Sequence, residues 1–457
     1  MNNFTPEEIA NILKTATAKG GDFADIFITK SSGGTILAEE NKIQRFHRGY
    51  DMGAGIRVIN GDCASYFYTN NCTYGDLIAL GEKAAVAMKS GTFPQNITPM
   101  VVDDFNKNVE TIELEAIGDM IKRVNEYAWQ LNPLIKQVTI GYGDSQKEML
   151  LANVKGRFVH RNSGRKRFFV KIVVKRNSDI ETAMATLGDT QTSFLWTEKL
   201  LMEKVDKAVE NAINLLDAKD APSGPMNVIL SGTAGGTMVH EACGHGLEAD
   251  HIEKGLSVYK DKLGQMVASP KITVIDDATI PNKYGSYEVD DEGEVGRKNI
   301  LIRNGILEQY MFDIRTAQKM GKKSTGNGRR ESYRFSPQVR MSNTYIAPGN
   351  DEPQAILADT KKGLFVKTMG GGQVNTNNGD FVFEVSEGYL IENGALTYPV
   401  KNATLIGNGP KTLGSVFALG SDLGFAIGTC GKGGQSVPVG DAQPTLGLSE
   451  VVVGGTQ

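Results

Sequence analysis

Near its middle this 457-residue chain carries Ala221-Pro222-Ser223-Gly224-Pro225. Proline has a fixed φ and no amide proton. Two prolines around a glycine therefore continue neither a helix nor the interior of a sheet. The break follows a strong helical pattern from about Glu198 to Asp217, with Leu200, Leu201, Val205, Ala208, Val209, Ala212, Leu215 and Leu216 in one apolar stripe. A short apolar, strand-like run, Asn227 to Leu230, comes after it. Helix, forced stop and strand together predict a domain boundary between residues 1–221 and 222–457. A chain of this length can enclose two or three full cores.

The first part reads as helices around a sheet. Thr5, Pro6 and Glu8 form a helix start with a capping box, and Ile9, Ile12, Leu13 and Ala16 share a face. Helices are also expected from about Tyr74 to Lys89 and from Thr111 to Leu131. Strands are expected at Ala24–Thr29, Thr35–Ala38, Ile43–Arg48, Gly53–Asn60 and Cys63–Tyr68, as an antiparallel meander turning at Ser31-Ser32-Gly33-Gly34 and Asn60-Gly61-Asp62. A second set covers Ile135–Tyr142, Met149–Asn153, Arg157–Asn162 and Lys166–Lys175, with a hairpin turn at Asn162-Ser163-Gly164. The basic run Lys155 to Arg176 includes Arg161, Arg165 and Lys166. Apolar residues interleave with it, so it reads as the solvated face of a hairpin rather than a nucleic-acid patch.

Beyond the break, glycine is concentrated and strands dominate. They are expected at Ile272–Asp276, Asn299–Arg303, Ile306–Phe312, Phe381–Ile391 and Ala403–Ile406, with short helices at Glu352–Lys361 and near 315–320. The predicted fold class is α+β with two domains. An N-terminal curved antiparallel sheet with packed helices precedes a strand-rich, glycine-rich C-terminal domain that carries the candidate metal site.

That site is His240-Glu241-Ala242-Cys243-Gly244-His245-Gly246. Two imidazoles can hold a metal, and a carboxylate beside them can take a proton from an attacking water. The histidines are five apart, however, which is roughly 140° around a regular helix. A π-type turn would stack them, and Gly244 and Gly246 make that distortion available. A catalytic zinc site needs a third protein ligand. Glu248, Asp250, His251, Cys243 and Cys430 are the candidates. Cys430 lies in Ile427-Gly428-Thr429-Cys430-Gly431-Lys432-Gly433-Gly434-Gln435, which reads as a loop. The segments Gly370-Gly371-Gly372 and 376–380 read as glycine-rich loops, where a strand edge for an extended peptide is expected.

Charge and hydropathy narrow the partners. A net charge of −4 gives no whole-chain case for nucleic acid or an anionic membrane. No apolar run reaches the length of a transmembrane helix, and the N-terminal residues lack the pattern of a signal peptide. Four cysteines in a chain this long suit a reducing cytoplasm.

With these segments in view, the chain resembles the TldD/PmbA family of metallopeptidases, and within it the TldD-type subunit that bears the metal motif. The matching blocks are His240 to Glu248, Gly326-Asn327-Gly328-Arg329-Arg330-Glu331-Ser332, Gly428-Thr429-Cys430-Gly431-Lys432, Gln435 to Gly440 and Gln443-Pro444-Thr445. The resemblance implies His240, His245 and Cys430 as ligands of Zn²⁺ and Glu241 as the catalytic base. It also implies cleavage of unfolded peptides or maturation of modified peptide precursors. The implied partner is a second copy, or a PmbA/TldE-like paralogue lacking the metal motif. The alternative is a regulatory, partner-binding protein with a structural zinc site. A fourth protein ligand such as Cys243 or Glu248 would mark it.

Overall fold

The computed structural model describes residues 4–88, 97–106, 113–190 and 196–455. Helix α1 (Pro6–Ala16) starts as its sequence requires. The Thr5 hydroxyl oxygen accepts the Glu8 amide at 3.2 Å, and the Glu8 carboxylate accepts the Thr5 amide at 2.8 Å. Helices α2 (Tyr74–Ala87), α3 (Leu114–Gln130) and α4 (Glu198–Leu216) follow where apolar periodicity places them. The expected helix ends at Lys89, Thr111 and Ile112 lie outside the described residues.

The strands of this half are longer than their sequence suggests. They are β1 (Phe23–Glu39), β2 (Lys42–Asn60), β3 (Cys63–Thr69), β4 (Val101–Phe105), β5 (Ile135–Asn153), β6 (Arg157–Arg176) and β7 (Asp179–Asp189). They form one sheet in the order β3-β2-β1-β5-β6-β4, with β7 also on β6. The turns expected at Ser31–Gly34 and Asn162–Gly164 do not exist. Ser32 pairs with Tyr50, and Gly164 with Gln146, inside continuous ladders. The chain reverses instead at Glu40-Asn41, whose φ of 51° and 59° supply the twist a two-residue hairpin needs. Gly34 is held extended by pairing with Arg48 and Asp144, and glycine is needed there because a Cβ would come within 2.6 Å of the Asp144 carboxylate.

Length lets one sheet serve two helix pairs. Near one end Ile26, Ile28 and Ile56 pack with Ile9 and Ile12 of α1 and Leu77 of α2. Near the other, Ile36, Ile140 and Val170 pack with Ile121 of α3 and Val205 of α4. The basic run is a solvated face only in part: Lys155, Arg167, Lys171 and Lys175 are exposed. Arg161 and Lys166 are buried, Arg161 pairs with Asp291 at 2.9 Å, and Arg165 donates to the carbonyls of Tyr284 and Ser286. Arg161 and Arg165 clamp the second half onto the sheet, while Lys166 faces Asp189 of β7.

In the second half, strand Gly224–Leu230 joins Lys362–Asn375 on one side and Leu446–Gly454 on the other. Pairing continues through Thr404–Asn408 and Asp380–Glu392 back to Lys362–Asn375, which closes a five-stranded barrel. A separate six-stranded sheet includes Val274–Asp277, Asn343–Ile346 and Gln435–Gln443, and has Gly424–Lys432 at its edge. Three expectations change here. Cys430 is on that edge strand, not in a loop, because Gly433 and Gly434, at φ 56° and 75°, make a tight hairpin that pairs Cys430 with Val437. Gly370–Gly372 belong to strand Lys362–Asn375, at a register shift. The Ile306–Phe312 strand is ordered as strand only over Ile306–Leu307. The architecture is mixed α+β, an N-terminal antiparallel sheet with helices and a strand-rich C-terminal part. Among the described residues no helix is long and apolar enough to cross a membrane.

Candidate metal centre

The barrel strand Gly224–Leu230 delivers the chain to Gly235 and Gly236, both with positive φ (88° and 71°), before the helical turn that carries the motif. A side chain at Gly236 would run into the backbone of Ala442. From His240 to Gly244 the helix widens to a π turn, in which the His245 amide bonds back to the His240 carbonyl. The Tyr259 hydroxyl donates to the Ala242 carbonyl at 3.0 Å, so a carbonyl of the widened turn is not orphaned. Gly244 faces Met341, whose sulfur occupies the space a Cβ would need. The five-residue spacing thereby puts both imidazoles on one side of the turn, edge to face. The two rings stand 4.9 Å apart at 89°.

Cys430 completes the cluster from the edge strand. Its Sγ is 3.3 Å from His240 Nε2 and 3.4 Å from His245 Nε2, and the three donor atoms lie within 4.8 Å of one another. The other ring nitrogens are fixed by carboxylates. His240 Nδ1 meets Asp441 at 2.7 Å, and His245 Nδ1 meets Glu248 at 2.9 Å. This arrangement orients each Nε2 toward a common point and makes it a better donor. The Lys432 ammonium holds Glu248 at 2.9 Å and Asp250 at 2.7 Å.

Electrostatics favour a thiolate. Burial raises the Cys430 thiol, but hydrogen bonds from both imidazoles and their charge outweigh it and bring it down to about 5. Burial works against charge on the histidines too. Asp441 nonetheless holds His240 well above its ordinary value, and Glu248 raises His245 to about 9. Without a metal the cluster is an ion-paired set of thiolate, imidazolium and carboxylate groups. A divalent cation would take the place of protons. Two imidazoles and a thiolate of this spacing suit a soft-to-borderline metal better than Mg²⁺ or Ca²⁺.

Glu241 is half-buried beside the cluster, and burial raises its carboxyl above the ordinary range. With His240, His245 and Cys430 it lines a cleft of about 660 Å³, whose wall includes Gly371 to Val374 and Thr376. Sequence candidates left out of the cluster have other work. Cys243 is fully buried in the apolar core, which pushes its thiol up to about 12. Glu248 and Asp250 are bound to Lys432, and His251 meets Thr376 at 3.3 Å. Sequence reasoning missed Asp441 and Lys432. The Gly433-Gly434 turn signal fixes the hairpin register that places Asp441 opposite Ala426, but nothing in the sequence aims that strand at His240.

The comparisons agree with this architecture. Residues 24–89 match the PmbA/TldA metallopeptidase domain 1, residues 107–216 the central domain, and residues 223–455 the C-terminal domain. The chain is 33% identical to a metalloprotease TldD homolog of Buchnera aphidicola, across 100% of this chain and 97% of the other. With the metalloprotease TldD homolog of Haemophilus influenzae it shares 34% identity, again over 100% and 97%. Its fold is also that of TldE from Thermococcus kodakarensis, with a TM-score of 0.80 and 18% identity over 98% of this chain and 100% of that one. The chain belongs to the PmbA/TldD metallopeptidase family, and it is a metalloprotease with the His–His–Cys candidate site of the TldD type.

Proposed function

We propose that this TldD-type metalloprotease is a zinc-dependent peptidase that cuts unfolded or extended peptides. His240, His245 and Cys430 are its metal ligands and Glu241 its catalytic base. The observation that carries this reading is the convergence of two imidazoles and one thiol, with both imidazoles aligned from behind by carboxylates, at the wall of a cleft. Three donors converge there among the described residues. Neither Cys243 nor Glu248 offers a fourth, which favours a catalytic over a structural site.

A zinc ion in that position supplies Lewis-acid polarisation of a peptide carbonyl and acidifies water. The chain's own groups do the rest. Glu241, on the cleft wall beside the three donors, takes the proton of the attacking water and returns it to the leaving amine. Asp441 and Glu248 keep the two imidazoles in the tautomer that points Nε2 inward. Strand Gly424–Lys432 ends its sheet, so it offers main-chain groups to an extended peptide lying in the cleft, opposite Gly371 to Val374. Maturation of modified peptide precursors fits such a cleft. The proposed partner is a second copy or a motif-less paralogue of the TldE kind, whose fold this chain shares. A cytoplasmic location follows from thiol chemistry that needs a reducing compartment.

Metal content and peptide cleavage of three proteins test the reading. Glu241→Gln should keep zinc and lose cleavage by about 10²-fold or more. Cys430→Ala should lose zinc. Unchanged cleavage in the first variant, or full zinc retention in the second, refutes the assignment.

A further inference from the structure

A second cavity, of about 310 Å³, lies between the two halves. Strands β5 and β6 wall one side of it, and the hairpin that carries Cys430 walls the other. Thr429 lines both this recess and the cleft of the metal cluster. In the hairpin Thr429 pairs with Pro438, which lines the recess, and its neighbour Cys430 lines the cleft, so the two spaces meet at Thr429.

The recess is crowded with cations. Lys147, Arg161, Arg165, Arg329 and Arg330 all line it, against Asp290, Asp291 and the exposed Glu331. Two of those carboxylates are already engaged. Asp290 accepts the amides of Glu292, Glu294 and Gly328, each at 2.9 Å. Asp291 takes Arg161 at 2.9 Å and the Arg330 amide at 3.0 Å. Arg165 and Arg329 spend their protons on carbonyls, which satisfy hydrogen bonds without cancelling charge. The terminal nitrogens of Arg161 and Arg330 also reach Asp291 and Asp25, yet single donor atoms are left over. Arg161 Nε, Arg330 Nε and Ser163 Oγ are buried without a partner, and Arg161 and Arg330 are 6% and 2% exposed. Among the described contacts the Lys147 ammonium has the Phe27 ring, 5.0 Å away, and no hydrogen-bonding oxygen. The strain of this crowding shows in two groups. Burial and then Arg161, Arg165 and Arg330 bring Lys147 down to about 8. Burial, Arg329 and Arg161 bring Arg165 down to about 10. Buried like charges and idle donors are the signature of a place built for an anion.

We propose that this recess binds a carboxylate of the peptide substrate, beside the cleft in which the peptide is cut. The inference rests on the peptidase reading for the ligand's identity. A peptide carboxylate fits better than a nucleic-acid phosphate, because the recess is a pocket of about 310 Å³ beside the peptide cleft, and the chain as a whole is negatively charged. Paired N–H donors of arginine match the two oxygens of a carboxylate. A peptide held on the edge strand at Thr429 would reach both spaces at once. The site would thus select substrates with an acidic side chain or a free C-terminus near the scissile bond.

The test uses zinc-loaded full-length protein carrying Glu241→Gln, so that binding is read without cleavage. One Glu is walked through an otherwise neutral, dye-labelled ten-residue peptide. Each peptide is made also with Gln in its place, and as free acid and amide. Fluorescence anisotropy should show one Glu position, or the free acid, binding about tenfold tighter than its neutral counterpart. Adding Lys147→Met should erase that preference and leave the neutral amide peptide binding as before. Ser163→Ala, a smaller change at the same wall, should reduce it in the same direction. Preference for the Glu peptides points to side-chain recognition, and preference for the free acid to the C-terminus. Equal binding of charged and neutral peptides, including no binding of either, overturns the proposal, as does a preference that survives Lys147→Met. If the preference holds but the parent protein cuts none of these peptides, the recess stands and the peptidase reading fails.

Discussion

Individual side chains at the metal cluster divide into those that would touch the ion and those that aim them. Asp441 is of the second kind. It is 8% exposed, lies on strand Gln435–Gln443, and meets His240 Nδ1 at 2.7 Å. Its carboxylate fixes which ring nitrogen is free and strengthens it as a donor. Asp441→Asn keeps the shape but loses the charge. It should weaken zinc affinity by about 10- to 100-fold, the usual cost of removing a carboxylate behind a ligating histidine. Competition with a chromophoric chelator measures this directly, and the far-ultraviolet spectrum should stay that of the parent. Affinity within a factor of two of the parent would show that His240 is oriented by packing alone. The two histidines stood out in the sequence because the chain has only five, whereas Cys430 was one of five candidates for a third ligand until the family resemblance singled it out. Asp441 was not legible there, since one aspartate among many becomes special only when a hairpin register and a strand-to-helix contact bring it to His240.

At the scale of elements, the π turn His240–Gly244 is the feature on which the site depends. It was foreseeable, because two candidate ligands five positions apart cannot share one face of a regular helix. Gly244 permits it by letting Met341 pack where a side chain would stand. Gly244→Ala should therefore destabilise the protein by about 1–3 kcal/mol, the usual cost of overpacking a filled core, and lower zinc affinity in the same variant. Denaturant unfolding of the zinc-free protein isolates the first effect, and an unchanged midpoint would show that the turn has slack. Strands were harder to read than this turn. Ser31–Gly34, Asn162–Gly164 and Gly370–Gly372 all have turn composition, yet each lies within a long strand. Glycine there serves close approach: at Gly34 to Asp144, and at Gly372 to the Phe383 ring. Local composition cannot distinguish a bend that reverses the chain from a flat place against which something packs. Helices, whose apolar stripes report their packing face directly, were placed within a few residues.

For the whole molecule, the boundary expected at Ala221–Pro225 does not separate the energetics of the two halves. Phe27, Met149, Leu151 and Val159 share one apolar cluster with Val289 and Tyr333. Arg57 of β2 pairs with Asp25 of β1 and, at 2.7 Å, with Glu292; Arg330 reaches back to Asp25 at 3.4 Å. Every member of that network is buried. Parting the halves would expose its charges to the loss of their partners, a penalty of several kcal/mol for each broken buried pair. We propose that residues 1–221 and 222–457 therefore unfold together. Calorimetry of the intact chain should show one transition, and two well-separated ones would contradict the coupling. The network also sets a pH dependence. Burial, and then the like charges of Asp313 and Asp25 working against Arg57, raise Glu292 from its ordinary 4.5 to about 7. A carboxyl whose folded pKa lies above its unfolded one contributes fully below pH 4.5, where both states hold the proton. Between 4.5 and 7 the unfolded state gives up its proton first, so stability falls as pH rises through that window. The shift of about 2.5 units corresponds to at most about 3 kcal/mol. Glu292→Gln has no proton to lose. Its stability relative to the parent should therefore improve steadily from pH 4.5 to pH 7 and then level off. Denaturant unfolding of both proteins across that range reads the difference, and a gap that stays constant, or narrows in the opposite direction, would show that Arg57 keeps Glu292 ionised throughout.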